Sequence, residues 1–578
     1  TPPDNRSGLT PEFEVAEALS LDEKETEARR AAGFTAMLSA PSGGIAVGQS
    51  ALASLSGLPR REIILASPVA MHITLSSPAS RGYPSTLMGF VAQPRKASRD
   101  APLYENQWNH FRDHGGGRPP LDPTLEALRA LQRREQRVFW EADTRDEIHR
   151  ALDLADEFGV RIVIVGGQEA WKVADRLAAA DVPVVLKIDF PEEPKAGAAS
   201  KKVDPLLAEY SLEQLQEGLK RDDLPEEIRE RIQARIEELT KPEESEGDKK
   251  SGEDKKADDK YRLPDSPRVL AEKKRLWEEQ VNCANVLREK GVTVCLSTEG
   301  HSKPSEFVAH VREMIEQGLP ADAALAAMTT NPASLMDVAE NLGQVSPGRL
   351  AHVVVFDKPF TDEKAKLRFS FIDSEKFELN KPKPEEADEV EDKEKDSEKK
   401  KSEEAKSPEE GGEEESGGAK DEGGGAAMAA AAKESGEESA EMVEGERFPT
   451  EIEADRKPAT QTGGNAVIRG ATVLTVTNGT LENASILIRD GKIAEVGSEI
   501  ETPEGFVEID ATGLYVMPGI IDCHVHFAIT RGINESTVSV TPEVRIRDVI
   551  NGDDLTIYQS LAGGVTCARV LHGSANAI

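Results

Sequence analysis

Cysteine is scarce in this chain, with four residues in 578, at Cys283, Cys295, Cys523 and Cys567. None is spaced C-x-x-C, so the sequence supports neither a disulfide framework nor a cysteine-ligated zinc site. Positive charge is also in deficit: 71 Lys and Arg stand against 106 Asp and Glu, a formal net charge of −35. That balance argues against nucleic acid or an anionic membrane surface as partner. Long hydrophobic runs are missing too. No stretch approaches the roughly 18 apolar residues that a membrane-spanning helix needs. The chain starts at Thr1 rather than Met and stops just after an apparent strand, Val565–Leu571. Both ends therefore read as truncated. At 578 residues there is room for more than one domain, and a single barrel would use only about half of the length.

What the sequence does contain is concentrated at residues 516–528, Val-Met-Pro-Gly-Ile-Ile-Asp-Cys-His-Val-His-Phe-Ala. An apolar strand runs into His524 and His526, with Asp522 two residues upstream. Side chains two apart on a strand point the same way. The two imidazoles therefore converge, as two ligands of one metal ion must. Cys523 alternates away from His524 and is expected to pack in a core.

Residues 1–360 alternate strand-like and helix-like segments. Expected strands are 34–40, 62–67, 137–141, 161–166, 182–188 and 292–297, several of them continuous Val/Ile runs typical of parallel strands covered on both faces. Amphipathic segments at 145–158 and 169–180 lie between them. Asp143 or Thr144 is placed to cap the first, and Gly159 to end it. Repeated βα units of this kind favour a barrel or a doubly wound sheet. Residues 190–265 break the pattern as a charged insertion, with helical periodicity at 212–239. Residues 376–460 are Glu, Lys, Ser, Gly and Ala with almost no large apolar side chains; such sequence cannot offset its ordering entropy and reads as a disordered acidic linker. From residue 466 short strands follow, at 466–469, 472–476, 484–489 and 492–496. They are divided by turn signals at Asn478-Gly479 and Asp490-Gly491, so a small antiparallel sheet is expected before the His-x-His strand.

Together these residues resemble the amidohydrolase superfamily of metal-dependent hydrolases, in its imidazolonepropionase-like branch. Ile486–Gly497 and Val516–His526 resemble that family's N-terminal sandwich hairpin and first barrel strand. Met328–Ala333 and Leu342–Asp357 resemble its C-terminal signature. The resemblance implies an α/β fold, a TIM-type (β/α)8 barrel with a small antiparallel β-sandwich. It implies one or two divalent metal ions, Zn foremost, held by His524 and His526 with later histidines and a last-strand Asp.

An end-of-module signature precedes a start-of-module signature, which suggests either circular permutation or tandem duplication. Thr10-Pro11-Glu12 and Thr541-Pro542-Glu543 stand 531 positions apart, and the same offset pairs Asp22 with Asp553, Ala31 with Ala562, Gly33 with Gly564 and Thr35 with Thr566. A helix leading into the second strand thus occurs twice, and tandem duplication is the reading adopted. Residues 1–375 are then a first module without its N-terminus, and residues 466–578 are the start of a second. In the first module the family's expected ligand positions read Glu141, Asp143 and Gly166, with Glu299 in place of the last Asp. Glycine offers no ligand, so this module is expected to be catalytically degenerate. His301 and His572 read as loop histidines, and His72 and His149 as structural ones.

The expected function is metal-dependent hydrolysis of a C–N bond, not a peptide bond, in a small cyclic amide-like substrate. This fragment alone is expected to be inactive. The alternative is a non-catalytic ligand-binding or assembly scaffold. The expected partner is a small molecule, and the resemblance also suggests dimer pairing, between chains or between the two modules.

Overall fold

Apolar runs rich in Val and Ile dictate the central element. In the computed structural model, which describes residues 6–76, 82–194, 229, 232, 266–379 and 452–575, nine strands precede residue 300. They are β1 (Ala36–Ser39), β2 (Ala46–Gln49), β3 (Ala51–Ser54), β4 (Ile64–Ala66), β5 (Ala70–Ile73), β6 (Arg137–Ala142), β7 (Ile162–Gly166), β8 (Val184–Lys187) and β9 (Val294–Ser297). Six form one sheet in the order β2-β5-β6-β7-β8-β9. β5 to β9 run parallel, and β2 joins the edge antiparallel. Val163 and Ile164 point to opposite faces of β7, yet both are 0% exposed, as expected for a parallel strand covered on both sides.

The two faces differ. Trp140, Ile164, Val184 and Leu186 pack with Ile148, Leu152 and Leu177 from the flanking helices in the main core. Phe139, Val163 and Cys295 form a separate cluster on the other face, with Ala70 and Leu335. The odd-numbered row of that second face carries the functional side chains described below.

The six strands expected before residue 300 agree with the observed ones within two residues at either end, whereas β2, β3 and β5 were not expected, and the strands expected at 466–469 and 472–476 form one strand, β13. The helix expected at 145–158 forms as Arg145–Phe158, with a Thr144/Glu147 capping box and a left-handed Gly159 at its end. The segment expected at 169–180 splits into a 3-10 turn, Ala170–Val173, and a short helix, Ala174–Ala179. A 28-residue helix, Leu87–His114, forms although Pro94 and Pro102 lie inside it. β1, β3 and β4 make a small antiparallel sheet, as do β10 (Val353–Phe356), β11 (Leu367–Ile372) and β12 (Glu375–Glu378).

The C-terminal part holds β13 (Ala466–Leu474), β14 (Thr480–Arg489), β15 (Lys492–Gly497), β16 (Val507–Asp510), β17 (Tyr515–Val516), β18 (Ile520–Val525) and β19 (Val565–Val570). The Asp490-Gly491 hairpin forms with positive φ at both residues, 50° and 73°, the backbone a two-residue turn of this kind requires. The sheet expected here to be antiparallel is mixed: β13 pairs antiparallel with β14 but parallel with β16 and β17. The second half of the strand pattern was carried by Val507–Asp510 and Tyr515–Val516, too short to read beforehand. β18 and β19 form a separate parallel pair.

Residues 1–192, 275–381 and 453–578 make one compact unit, and 193–274 with 382–452 make a second. Apart from residues 229 and 232, both helical, the periodicity expected at 212–239 falls outside the described residues, as does nearly all of the expected linker at 376–460. Among the described residues no helix is long and apolar enough to cross a membrane.

Candidate functional site

Strand register decides which side chains meet. Glu141 pairs with Val165, Val165 with Val185 and Val185 with Cys295, and Lys187 is level with Ser297. With a side-chain period of two, Glu141, Asp143, Lys187 and Glu299 continue the row of Phe139, Val163, Val185 and Cys295. They gather at the C-terminal ends of the parallel strands, where βα sheets present their ligand-binding groups.

Lys187 is the centre of this group. Its Nζ lies 3.0 Å from Glu299, 3.3 Å from Asp143 and 3.7 Å from Glu141, and its side chain is only 11% exposed. Burial works against the ammonium. The hydrogen bond that Lys187 donates to Glu299 and the field of the three carboxylates outweigh it, so the Lys187 pKa is raised. Burial pushes the Glu141 and Asp143 carboxyls upward, with Lys187 opposing it in both. One Asp143 oxygen, Oδ1, is buried without a hydrogen-bond partner.

The glycine at the expected ligand position is also accounted for. Gly166 has φ +105°, and a Cβ there would come within 2.1 Å of Asp143 Oδ1. Asp143 therefore takes the space that a side chain at 166 would need. Asp189, two residues after Lys187, accepts from Gln168 Nε2 at 3.1 Å.

His524 and His526 form the second group. Their Nε2 atoms are 3.1 Å apart and both residues are exposed. His526 Nδ1 lies 2.8 Å from the Leu571 carbonyl just beyond β19. A carbonyl only accepts, so Nδ1 donates to it, and in the neutral imidazole Nε2 then keeps its lone pair. Asp522 Oδ1 accepts from the backbone N–H of His524 at 3.0 Å. Cys523, expected in a core, is exposed: among the described residues β18 pairs with β19 alone, and Ile520 and Ile521 are exposed beside it. Among the described residues no three His, Cys, Asp or Glu side chains are placed to hold a metal ion together.

His72 is buried in β5 against Phe139, and burial lowers its pKa to about 4. His149 contacts Arg176 at 2.7 Å. His301 Nε2 lies 2.9 Å from His310 Nδ1, and His310 packs on Phe190. His572 Nδ1 is 2.9 Å from the Gly573 carbonyl. Lys187 was not anticipated, although it ends the apolar run Val184-Val185-Leu186. A lysine closing a buried strand was the available signal.

Residues 141–382 match the amidohydrolase family. A 62-residue stretch is 45% identical to a dihydroorotase of Citrifermentans bemidjiense, covering 11% of this chain and 15% of that protein. A 119-residue stretch is 31% identical to a 5-methylthioadenosine/S-adenosylhomocysteine deaminase of Pelotomaculum thermopropionicum, covering 18% and 28%. A 103-residue stretch is 34% identical to a D-phenylhydantoinase of Escherichia coli, covering 17% and 22%. The chain thus spans less than a third of the length of each of these relatives. A solved amidohydrolase from Thermotoga maritima is 18% identical over 64% of this chain and 79% of its own, with a TM-score of 0.46.

Proposed function

Because the chain belongs to the amidohydrolase superfamily, we propose that the protein is a metal-dependent hydrolase of a C–N bond, not a peptide bond, in a small cyclic amide-like substrate. The observation that carries this reading is the His524/His526 pair, whose Nε2 atoms stand 3.1 Å apart. Two nitrogens bound to one tetrahedral zinc lie roughly 3.3 Å apart, given Zn–N bonds of about 2.0–2.1 Å. The donor set therefore fits one edge of such a site.

Each residue has a part in this. His524 and His526 would hold the ion. Leu571 fixes the His526 ring and tautomer through Nδ1, the outer-shell contact that ligand histidines characteristically make. Asp522 holds the His524 backbone. A bound divalent ion, one or two in number and zinc foremost, supplies an acidified water near neutral pH. Dihydroorotase and D-phenylhydantoinase among the relatives support the substrate class. The five parallel strands β5–β9 and the parallel pair β18–β19 are the parts a TIM-type barrel would use.

We further read residues 1–375 as a degenerate first module and 466–578 as the start of a second. Both copies of the repeat support this: helix Glu23–Ala31 leads into β1, and, 531 positions on, helix Leu555–Ala562 leads into β19. Degeneracy is supported by Lys187, whose ammonium lies among the carboxylates of the first module. The same observation favours a second reading, in which the first module is a ligand-binding or assembly scaffold. This polypeptide by itself supplies two ligands and is read as inactive.

Zinc content and zinc affinity of the purified chain test the proposal. With two protein ligands in this chain, weak zinc binding is expected, and His524→Ala or His526→Ala should weaken it further by at least about 10-fold, the least that even outer-shell losses cost. Unchanged zinc binding in both variants would remove the His pair from the site. Ring opening of five- and six-membered cyclic amides by the natural full-length protein, lost in the same variants, tests the substrate class.

A further inference from the structure

Residues 529–554, between β18 and the helix Leu555–Ala562, make most of their polar contacts with residues some 400 positions earlier. Glu535 is 0% exposed. Its Oε1 accepts from Ser85 Oγ at 2.9 Å, and its Oε2 accepts from the Thr86 N–H and Thr86 Oγ1, each at 2.8 Å. The Ser85 N–H, at 2.9 Å, and Thr537 Oγ1, at 2.6 Å, also donate to Glu535. These donors sit at the N-terminus of the helix Leu87–His114, where the helix dipole favours an anion. Gly89 makes room for the carboxylate: a Cβ there would come within 2.3 Å of Glu535 Oε2.

A second buried charge lies nearby. Arg95, its side chain 4% exposed, grips Asp548 through two bonds of 2.7 and 3.0 Å, while its Nε donates to Glu157 at 2.9 Å. Arg150 Nε donates to the Asp548 carbonyl at 2.6 Å. Tyr83 donates to Glu543 at 2.8 Å, and the Gly552 N–H to Asp146 at 2.7 Å. Val544 and Val549 join the main core of the first half. A buried carboxylate is tolerated only where its partners are already in place, and removing one side of such a pair leaves the other uncompensated. The surface from Ser85 to Arg150 is therefore an acceptor shaped for this segment.

We propose that residues 529–554 are a clasp joining the C-terminal lobe to the first half by buried charge, with Glu535 as its anchor, so that the lobes stay joined when the chain between residues 379 and 452 is cut. The clasp is tied back to the lobe it carries. The Asn551 N–H bonds the Ala528 carbonyl at 2.9 Å, and the Gly573 N–H bonds the Ile533 carbonyl at 2.7 Å. The occupant is a segment of this same chain, matched in charge to Arg95 and Arg150.

A specific protease site inserted between residues 380 and 451 of the chain tests this. After cutting, the two pieces should co-elute in size exclusion at both low and high salt. Separation of the cut wild-type chain would overturn the proposal. Glu535→Ala should weaken association by about 100-fold or more, and Gly89→Ala, which crowds the carboxylate from the other side, should weaken it too. Glu499→Gln, elsewhere in the lobe, should leave it unchanged. In the uncut chain, hydrogen exchange at the Ser85 and Thr86 amides should accelerate in Glu535→Ala while the β6–β9 amides stay protected. Co-elution of both cut variants at wild-type affinity, or unchanged exchange at Ser85 and Thr86, would show that Glu535 anchors nothing.

Discussion

At the scale of single residues, charge balance at the strand ends turns on Lys187. Replacing it with Met keeps the stem length and removes the ammonium, leaving Glu141, Asp143 and Glu299 to repel one another. Breaking a buried pair costs about 3–5 kcal/mol, but Glu141 and Glu299 are 41% and 45% exposed, so water offsets part of the loss. Lys187→Met is expected to destabilise by about 1–3 kcal/mol in chemical denaturation. Glu299→Gln, removing one exposed partner, should cost under about 1 kcal/mol. The carboxylates of this group were legible as Glu141, Asp143 and Glu299, because they stand where the family resemblance places metal ligands and the last-strand Asp. Their organiser was not. A lysine at a strand end reads as a solvent-facing residue until the neighbouring strands are known, and their order depends on contacts far apart in the chain.

Elements were legible where local physics alone fixes them. The helix Arg145–Phe158 carries its start and stop in the sequence: Thr144 Oγ1 accepts from the Glu147 N–H at 3.4 Å while Glu147 accepts from the Thr144 N–H at 3.1 Å. Thr144→Ala should lower stability by about 1 kcal/mol, the usual worth of an N-cap, measured as a shift in the denaturation midpoint without a change in slope. Thr144→Ser should restore most of it. The strands β2, β3 and β5 were not legible, since Ala46-Val-Gly-Gln, Ala51-Leu-Ala-Ser and Ala70-Met-His-Ile carry little periodicity. The helix Leu87–His114 was hidden by Pro94 and Pro102, which normally break a helix. Here Leu87, Met88, Phe90 and Val91 are buried in the main core, and that tertiary packing outweighs the local penalty. The clasp was illegible for a similar reason. Glu535 and Asp548 look like ordinary loop acids until Ser85, Thr86 and Arg95 arrive from the other end of the chain.

At the scale of the whole molecule, two buried groups act together on acid stability. Burial lowers the His72 pKa from 6.5 to about 4. Above pH 6.5 the imidazole is neutral in both folded and unfolded chains and exerts no pull. As pH falls from 6.5 towards 4 the unfolded chain takes up a proton that the folded chain refuses, so stability declines across that window and levels off below it. A shift of this size is worth on the order of 3 kcal/mol. Glu535 adds to the decline at lower pH. Burial alone would raise its pKa, but the bonds from Thr537, Ser85 and Thr86 hold it below the ordinary carboxyl value of 4.5. Its contribution is therefore present above that ordinary value and is lost as pH falls through the folded one. Glu141 and Asp143, with raised values, pull in the opposite sense around the carboxyl range, so the wild-type profile is a sum and only variants separate its parts. His72→Leu should flatten the stability profile between pH 6.5 and 4 while leaving the steeper loss below pH 4.5. Glu535→Gln should lower stability at pH 7 and make the remaining curve shallower at the acid end. Denaturation midpoints measured at half-unit intervals from pH 7.5 to 3.5 distinguish the two. An unchanged slope between pH 6.5 and 4 in His72→Leu would mean that some other group, not the imidazole beside Phe139, sets the acid limit of this fold.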